Sequence, residues 1–459
     1  MTALWTSADM ARVVGGTASA DFAVSGIAFD SREVGPGDVF IALTGEFANG
    51  HKFIDGAFAQ GAAGAIVSLS TVHPHILVAD TAAALKALGI ASRARTNARI
   101  AGVTGSVGKT GVKEALAACL ARANKGPVHR SVKSYNNHTG VPLSLARMPA
   151  DCVFAVLEMG MNHSGEIAAL TQMVRPHVAI ITAIATAHIE TLGSIEAIAD
   201  AKAEIFNGLE PGGTAIIPFD SPQCERLAKA ARAAGADRII TFGRGIGADV
   251  CPLDVVETDT GTLVMARLSD AELSFTLAYP GDHWVSNAMA ILAAVQALGG
   301  DLAAAGLALG EMEGLTGRGA RHSIATPDGG SALIIDESYN ANSASMAATL
   351  KVLGATPAVR RVAVLGEMRE LGAQSEALHA GLADPIRQAG VDFALLVGPA
   401  MAPLAKALEG KCETLHVADA GAALDAISNI LTGGDTVLIK GSNAVGLSQI
   451  VSALKSGAY

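Results

Sequence analysis

Residues 99–110 read RIAGVTGSVGKT, and this stretch decides the fold of the central part of the chain. Its first five residues are typical of a buried strand, and residues 112–123 predict a helix. The glycine-rich turn between them aims backbone N–H groups, together with the helix N-terminus, at an anion. We expect Lys109 to pair with β- and γ-phosphate oxygens and the Thr110 hydroxyl to reach a Mg²⁺ ion.

The pattern of this turn departs slightly from the strict Walker motif. That motif would place its first glycine at Val103, whereas the glycines occupy positions 102, 105 and 108. A plain glycine-rich turn without a ligand is the alternative, but the GKT triplet stands where a strand gives way to a helix. The sequence therefore predicts a nucleotide-binding loop made of Gly105, Ser106, Val107, Gly108, Lys109 and Thr110.

Length and composition bound the rest of the interpretation. The chain has 459 residues with a net charge of −10, which suggests two to four domains and argues against a general nucleic-acid binder. Its most apolar window, residues 178–187, is about half of a membrane span. The N-terminus does not resemble a signal peptide, and the five scattered cysteines form no CxxC pair. We expect a cytoplasmic protein with reduced thiols.

Short apolar runs alternate with Ala- and Leu-rich helical patterns along the chain, which predicts an α/β fold with parallel sheets. Three blocks can be separated, at residues 1–97, 98–317 and 318–459. The last block contains strand-like runs that each end in a glycine or a carboxylate and lead into a helical stretch. That pattern is typical of a doubly wound sheet, in which ligands bind at the C-terminal strand ends.

Three further side chains in the central block are candidates for metal chemistry. Glu158 ends an apolar strand, where a carboxylate is well placed to hold Mg²⁺ beside a phosphate loop. His188 follows another apolar strand at the same predicted sheet edge, and a metal ligand and an ordinary loop histidine are equally good interpretations. Lys202 lies in a helical stretch at residues 194–208, and taken alone it resembles a solvated lysine near Glu204.

Other polar positions have both structural and ligand-binding interpretations. Residues 135–142 (YNNHTGVP) are either a surface loop or a ligand loop. Asn287 lies in the first turns of an apolar helix, as a cap or as an amide that reads a base. Arg318, at a block junction, either binds a surface carboxylate or reaches a nucleotide. Residues 334–342 end a strand in two acids, and Lys440 at the end of the last strand could meet an anionic substrate.

In this order, these motifs resemble the Mur ligase family, which joins amino acids to the peptidoglycan precursor. The N-terminal stretch at residues 30–57 is similar to the family's uridine-binding domain. Residues 338–342 and 365–372 are similar to the members that act last in the cytoplasm. The other matching segments span most of the chain: TGSVGKT at 104–110, NNHTGVP at 136–142, EMG at 158–160, AH at 187–188, KAE at 202–204, GDHWVSN at 281–287, GR at 317–318 and YNAN at 339–342.

The resemblance implies an ATP- and Mg²⁺-dependent ligase of three domains that works through an acyl phosphate. Residues 1–97 would be a small α/β UDP-binding domain, residues 98–317 a P-loop ATPase-like domain, and residues 318–459 a Rossmann-like domain for the incoming dipeptide. The implied substrates are UDP-N-acetylmuramoyl-tripeptide and D-alanyl-D-alanine. A monomer without nucleic-acid or membrane partners is implied as well.

The resemblance also implies residue roles. The implied catalytic residues are Lys109, His188 and Lys202. Beyond the phosphate loop, ATP contacts are implied for Asn287 at the adenine, Arg318 at the phosphates, and Asp336, Tyr339 and Asn340 from the third domain. UDP-substrate contacts are implied for Ser31, Arg32, Thr44, Gly45, Asn136, Asn137 and Thr139. A pair of Mg²⁺ ions would be held by Thr110, Glu158, His188 and the carbamate of Lys202.

Two other classes of function compete with this interpretation. The chain could instead be a family member that acts on folate, but residues 26–66 fit the uridine domain. It could also be the member that adds diaminopimelate or lysine, but no DNPR segment of the kind that binds that amino acid is present. A nucleotide-dependent switch would leave the N-terminal block and the YNAN segment without a role. Asn443 stands where the family commonly has arginine, so the residue that holds the dipeptide carboxylate is left open.

Overall fold

The computed structural model describes residues 3–45, 49–124, 126–186, 189–258 and 261–457. Three sheets of five or six strands follow one another along the chain, and most of their neighbouring strands are parallel. The predicted α/β class with parallel sheets is confirmed. Within the described residues, no helix has both the length and the apolar character needed to cross a bilayer.

The N-terminal sheet has five strands in the order β2-β7-β6-β5-β4, with β2 antiparallel at one edge. Its central strands are buried on both faces, which explains their continuous apolar sequence. Strands β1 and β3 form a separate antiparallel pair. The elements are β1 (Trp5–Thr6), α1 (Ser7–Val14), β2 (Thr17–Ala18), β3 (Ala23–Val24), β4 (Gly26–Ala28), β5 (Asp38–Ile41), α2 (Ile54–Ala59), β6 (Gly64–Val67), β7 (His75–Leu77) and α3 (Thr81–Ala94).

The central sheet is six-stranded and parallel, in the order β13-β12-β11-β8-β10-β9. Its middle strand β8 leads through residues 105–108 directly into α4, so the predicted strand, turn and helix are present. The elements are β8 (Arg99–Thr104), α4 (Lys109–Ala123), β9 (Val128–Arg130), α5 (Gly140–Ala146), β10 (Phe154–Glu158), α6 (Glu166–Val174), β11 (Val178–Ile181), α7 (Ile189–Leu192), α8 (Ile195–Ala203), β12 (Thr214–Pro218), α9 (Cys224–Ala233) and β13 (Arg238–Phe242).

An antiparallel sheet follows that the sequence analysis did not predict. Its strands are β14 (Cys251–Thr258), β15 (Gly261–Arg267) and β16 (Glu272–Leu277), and α10 (Asp282–Leu298) and α11 (Leu302–Gly310) come after it. In β15 the buried Val264 and Ala266 alternate with the exposed Leu263 and Met265. Apolar side chains on both faces obscure the two-residue period by which a half-buried strand is recognised.

The third sheet has the order β17-β18-β22-β19-β20-β21, and only its edge strand β17 is antiparallel. Helices pack on both faces, as the doubly wound prediction requires. The elements are β17 (Ala320–Ala325), β18 (Ser331–Glu337), α12 (Ser343–Ala355), β19 (Arg360–Gly366), α13 (Ser375–Ala380), α14 (Ala383–Gln388), β20 (Phe393–Val397), α15 (Ala402–Leu408), β21 (Glu413–Val417), α16 (Ala420–Ile430), β22 (Asp435–Lys440) and α17 (Ser448–Ser456).

The N-terminal and central units are joined through helix α3. A Cβ added at Gly89 of this helix would lie 2.9 Å from the Pro142 carbonyl oxygen of α5, so the two helices approach closely. Arg93, whose side chain is 7% exposed, reaches from α3 into the central unit. Its guanidinium donates to the Val174 carbonyl at 2.8 Å and to a Glu210 carboxylate oxygen at 3.0 Å. A buried cation therefore contributes hydrogen bonds and an ion pair to this interface.

Replacing Arg93 by methionine is expected to lower the free energy of unfolding by about 2 to 3 kcal/mol, because buried acceptors lose their charged donor. Urea unfolding followed by circular dichroism measures this change. Arg12→Met is the matched control, since Arg12 is 74% exposed and pairs with Asp9 on its own helix. That control should lose less than about 1 kcal/mol. Equal losses in the two variants would contradict the role given to Arg93.

Candidate active site

The phosphate loop between β8 and α4 adopts a conformation that requires its glycines. Gly105 and Gly108 have φ angles of +151° and +83°, and a Cβ at Gly105 would lie 2.0 Å from the Thr182 hydroxyl oxygen. Ser106 fastens the loop to the segment after β11, because its hydroxyl donates to the Ala185 carbonyl at 2.9 Å. The loop is thereby shaped before any ligand arrives.

Lys109, at the first position of α4, curls back over this loop. Its ammonium donates to the Gly105 carbonyl at 2.7 Å. Burial lowers the pKa of Lys109, nearby Glu158 raises it, and Arg318 lowers it further. A positive charge held over backbone N–H groups at a helix N-terminus suits the terminal phosphates of a nucleotide.

Glu158, at the end of β10, is the centre of the oxygen cluster beside the loop. Its side chain is buried, and its two carboxylate oxygens accept from the Thr110 hydroxyl and from the Asn136 amide, each at 2.8 Å. Mg²⁺ is held in proteins by one or two carboxylates together with substrate phosphates and water, so this donor set fits it. In the part of the chain that the structure describes, no three acidic, histidine or cysteine side chains gather as a metal cage.

Lys113 is a site residue that the sequence analysis missed. It follows Lys109 by one helical turn on the same side of α4, and that spacing is the signal that could have found it. Its side chain is fully buried, with the ammonium 3.9 Å from a Glu158 oxygen. The ammonium also donates to the carbonyls of Ser131 at 2.9 Å and Lys133 at 2.5 Å. Lys113 therefore holds the segment that precedes Asn136.

Lys202 is buried, with only 1% of the residue exposed, so its interpretation as a solvated lysine is wrong. Helix α8 ends at Ala203 and continues as a 3-10 turn, which directs Glu204 away to cap α6 through the Gly165 N–H at 2.7 Å. Burial lowers the pKa of Lys202 well below its usual value, and the charge of Lys109 lowers it further. Within the described ranges, no hydrogen-bond or ion-pair partner of the Lys202 amine is present. His188 lies outside the described residues.

The predicted UDP residues of the N-terminal unit lie on two segments. Ser31 and Arg32 are in a 3-10 turn capped by Asp30, whose carboxylate accepts from the Arg32 backbone N–H at 3.0 Å. The Arg32 guanidinium is 85% exposed and, by hydrogen bonding, lowers the pKa of Asp30 to about 2. Thr44 bridges to Asn49 across a short loop, and Gly45 lies beside it. The turn at Ser31 and Arg32 thus presents an exposed cation.

The polar loop before α5 is shaped by its own asparagine. The Asn137 side-chain oxygen accepts from the backbone N–H groups of Thr139 at 3.2 Å and Gly140 at 2.9 Å. Asn136 points the other way, to Glu158, and its carbonyl accepts from Gly160 at 2.8 Å. The structure therefore brings Asn136 to the oxygen cluster, while Asn137 and Thr139 form the turn itself.

A second chain of contacts ties this loop to the N-terminal unit. The Tyr135 hydroxyl donates to a Glu33 carboxylate oxygen at 2.7 Å, and Lys133 forms an ion pair with the same carboxylate. Glu33 belongs to the 3-10 turn that carries Arg32. The predicted UDP turn and the Glu158 cluster are thus connected through residues 133–136.

Arg318 connects the third unit to the phosphate loop. Its guanidinium lies 4.1 Å over the Tyr339 ring and donates to the Ser134 hydroxyl at 3.3 Å, while Ser134 contacts Thr110 at 3.2 Å. Asn287 stands beside the loop as well, since a Cβ at Gly108 would lie 3.1 Å from its amide oxygen. Both residues therefore border the predicted nucleotide site.

Asp336 and Asn340 already form hydrogen bonds with other residues of the protein. Asp336 is 1% exposed and accepts from the Gly317 N–H at 2.8 Å and the Ser338 hydroxyl at 2.6 Å. The Asn340 amide oxygen accepts from the following N–H at 2.9 Å, and its carbonyl accepts from Lys440 at 2.9 Å. These bonds fix the turn after β18 and hold Gly317, the residue next to Arg318.

Together, these contacts form an anion site next to a buried carboxylate, with an arginine arriving from another unit. Preorganised cations and N–H groups of this kind stabilise the charge that develops during phosphoryl transfer. The connection to an exposed cation in the N-terminal unit suggests a second, extended substrate. The geometry thus fits an enzyme that phosphorylates one substrate held between domains.

Comparison with known proteins gives three adjoining family matches. The model described as "Mur ligase family, catalytic domain" matches residues 23–118, the "Mur ligase middle domain" matches residues 103–295, and "Mur ligase, glutamate ligase domain" matches residues 321–443. These matches extend over all three sheets.

Relatives of known activity match nearly the whole chain. The UDP-N-acetylmuramoyl-tripeptide--D-alanyl-D-alanine ligase of Escherichia coli (strain K12) is 34% identical, with 95% of each chain covered. The Synechocystis sp. enzyme of that name is 36% identical, with 95% of this chain and 93% of the relative covered.

Solved structures give the same result. MurF from Acinetobacter baumannii superimposes with a TM-score of 0.83 at 30% identity, covering 98% of this chain and 99% of that chain. MurF ligase from Thermotoga maritima in complex with ADP has a TM-score of 0.76 at 27% identity, covering 94% and 97%. The chain therefore belongs to the Mur ligase family, as its ordered motifs predicted.

Proposed function

We propose that this chain uses ATP to join D-alanyl-D-alanine to UDP-N-acetylmuramoyl-tripeptide, giving the UDP-N-acetylmuramoyl-pentapeptide of peptidoglycan synthesis. Full-length similarity to ligases of that name supports the proposal. The structural observation that carries it is the junction of Lys109, Glu158 and Arg318 around one glycine loop. That arrangement suits phosphoryl transfer to a substrate carboxylate.

The chemistry follows from the poor reactivity of a carboxylate toward an amine. A carboxylate oxygen of the tripeptide attacks the γ-phosphorus of ATP, so that a P–O bond forms and ADP leaves. The dipeptide amine then attacks the acyl carbon, a C–N bond forms, and phosphate leaves with the electrons of the C–O bond. The amine gives up its proton in this step. Closure of the domains keeps water from the acyl phosphate.

The residues of the loop have separate tasks in that sequence. Lys109 and the N–H groups of residues 105–110 bind the β- and γ-phosphates, and Arg318 adds charge from the third unit. Thr110 and Glu158 would hold Mg²⁺, which when bound neutralises charge on the phosphates. Asn287 would contact the adenine, and Asp336, Tyr339 and Asn340 would complete the nucleotide site from the third unit.

The three units divide the substrates among them. Residues 1–97 would hold the UDP part through Ser31, Arg32, Thr44 and Gly45, and residues 98–317 would bind ATP. The muramoyl peptide would pass along the loop that contains Asn136, Asn137 and Thr139. Residues 318–459 would receive the dipeptide. One chain thus supplies a site for every substrate, which supports a monomeric enzyme acting on cytoplasmic nucleotides.

The environment of Lys202 suits the formation of a carbamate on its side-chain amine. Burial lowers the pKa of its amine well below the usual value, and this favours the neutral, nucleophilic form. The nitrogen attacks CO₂, an N–C bond forms, and one proton is released to solvent. The resulting anion would stand beside Lys109, whose positive charge already acts on this amine. Together with His188, the carbamate would be a ligand of the second Mg²⁺ ion of the proposed pair.

The proposal is tested by phosphate release from ATP and Mg²⁺ in the presence of UDP-N-acetylmuramoyl-tripeptide, with and without D-alanyl-D-alanine. We expect release that depends on the dipeptide, with a pentapeptide product by mass spectrometry. Release only with UDP-N-acetylmuramoyl-dipeptide and a diamino acid would assign the chain to another step of the family. Release from ATP alone would indicate a nucleotide switch.

Glu158→Gln is expected to raise the Mg²⁺ concentration for half-maximal activity by about 10- to 100-fold, because an anionic ligand becomes a neutral amide. A Mg²⁺ titration of ligase activity measures the shift. Glu225→Gln, an exposed acid in the first turn of α9, is the control and should leave the titration unchanged. An unchanged titration in Glu158→Gln would remove Glu158 from the metal site.

A further inference from the structure

The chain connections of the third sheet change direction between the paired strands β19 and β22. From β19 the chain proceeds to β20 and β21 on one side and then returns to place β22 on the other side, which makes this a topological switch point. Gly366 and Gly441 face each other just beyond it, and a Cβ on Gly441 would lie 3.0 Å from the Gly366 Cα. Ligands of doubly wound sheets bind in the crevice at such a point. The Leu447 side chain packs against both glycines, since Cβ atoms on Gly366 and Gly441 would lie 3.0 Å and 2.8 Å from it.

Two cations stand on the segments that follow the parallel strands of this sheet. Lys440 ends β22, is buried, and is already engaged by the Glu337 carboxylate at 3.3 Å and the Asn340 carbonyl at 2.9 Å. Arg369 follows β19 on the other side of the crevice, and 59% of its side chain is exposed. Arg369 is therefore the cation that is open to an incoming anion.

Arg369 is held at the crevice from two sides. Its backbone N–H donates to the Ser442 hydroxyl at 3.0 Å, and Ser442 in turn donates its N–H to the Glu367 carbonyl at 3.0 Å. Its guanidinium meets the buried Glu367 carboxylate at 2.8 Å through one terminal nitrogen. A guanidinium has five N–H donors, so a planar carboxylate can still be bound in two-point fashion.

The Glu367 carboxylate is held in place by the protein, so that it can orient the Arg369 guanidinium. Its other oxygen accepts from the Ala400 N–H at 2.7 Å, and only Gly398 fits behind it, because a Cβ there would lie 2.6 Å from the carboxylate. A fixed anion behind an exposed arginine sets the direction of the guanidinium. Glu367 is thus a positioning residue, and Arg369 is the residue that meets the ligand.

The crevice also faces the central unit. Gly372, three residues after Arg369, packs so closely on α7 that a Cβ would lie 3.0 Å from the Glu190 side chain. The Ser343 hydroxyl lies 3.4 Å from that of Thr186. The segment that carries Arg369 therefore borders the central unit, where the acyl phosphate forms under the proposed function.

We propose that Arg369 binds the C-terminal carboxylate of the incoming D-alanyl-D-alanine and so selects a free dipeptide acid. This inference depends on the proposed function for the identity of the substrate. Asn443, which follows β22, carries no charge and therefore cannot form an ion pair with a carboxylate. The carboxylate is bound at one end of the dipeptide, which leaves the amine at the other end to attack.

The test compares D-alanyl-D-alanine with D-alanyl-D-alaninamide, which lacks the carboxylate charge, in wild type and in Arg369→Ala. In wild type, kcat/KM for the amide should be lower by about 10- to 100-fold, the effect of losing a charge-assisted pair. Arg369→Ala should raise the KM for the acid by a similar factor, and its preference for the acid should disappear. The KM values for ATP and UDP-N-acetylmuramoyl-tripeptide should stay unchanged.

Two further variants exclude a general loss of structure. Arg369→Lys keeps a positive charge and should recover part of the acid preference. Arg387→Ala removes an exposed arginine that pairs with Asp384 of its own helix, and it should behave as wild type. If Arg369→Ala discriminates between acid and amide as wild type does, Arg369 does not bind the carboxylate. If wild type ligates neither compound, the proposed function itself fails.

Discussion

Lys109→Ala is expected to lower kcat for dipeptide-dependent phosphate release by at least about 100-fold, the scale of removing one preorganised charge from a reacting centre. The ammonium is already held over the loop by the Gly105 carbonyl at 2.7 Å, so it does not need to be recruited when ATP binds. Its charge acts on the phosphoryl group during transfer, when negative charge shifts toward the leaving oxygen. The loss should therefore appear in kcat more than in the KM for ATP.

The control for this variant is Lys86→Ala, which removes an exposed lysine from α3 of the N-terminal unit. It should retain wild-type kcat. Unfolding curves of Lys109→Ala should stay close to those of wild type, because the loop is also held by Ser106 and Thr182. A folded Lys109→Ala with near-normal turnover would refute the assignment of the phosphate loop.

The phosphate loop was predictable because the features that identify it lie in one short stretch of sequence. A strand, glycines at special positions and the start of a helix lie within twelve consecutive residues, 99–110, and each feature has a signature of its own. Glu158 was predictable for a similar reason, since a carboxylate at the end of a buried strand points to the ligand edge of a parallel sheet. Such features need no knowledge of distant contacts.

The burial of Lys113 and of Lys202 is what the sequence alone could not supply. A lysine on an Ala-rich helix normally faces water, so its pattern alone favours the exposed interpretation. Burial depends on contacts outside the lysine's own helix, such as the Ser131 carbonyl that accepts from Lys113. The contact between Glu33 and Tyr135, which are 102 residues apart, cannot be predicted from the local sequence pattern either.

The second large expected effect concerns Lys202, whose predicted carbamate would be an anion beside the Mg²⁺ ions. Lys202→Met is expected to lower kcat by at least about 100-fold, because methionine cannot form a carbamate and one anion beside the metal pair is lost. Stability should not fall, since replacing a buried polar end by an apolar side chain of similar length is usually neutral or favourable. Loss of activity without loss of stability separates a catalytic role from a packing role.

Lys202→Ala completes the test, because it leaves space that methionine fills. A short carboxylic acid such as acetate should restore part of the activity of Lys202→Ala by placing an anion in that space, whereas Lys202→Met should not respond. In wild type, ¹³C-bicarbonate should give a carbamate signal in ¹³C NMR that both variants lack. The lowered pKa of Lys202 means that its amine stays neutral, and hence able to react with CO₂, below its usual pKa. Absence of the signal, together with failure of rescue, would show that Lys202 acts as an amine and that the carbamate assignment is wrong.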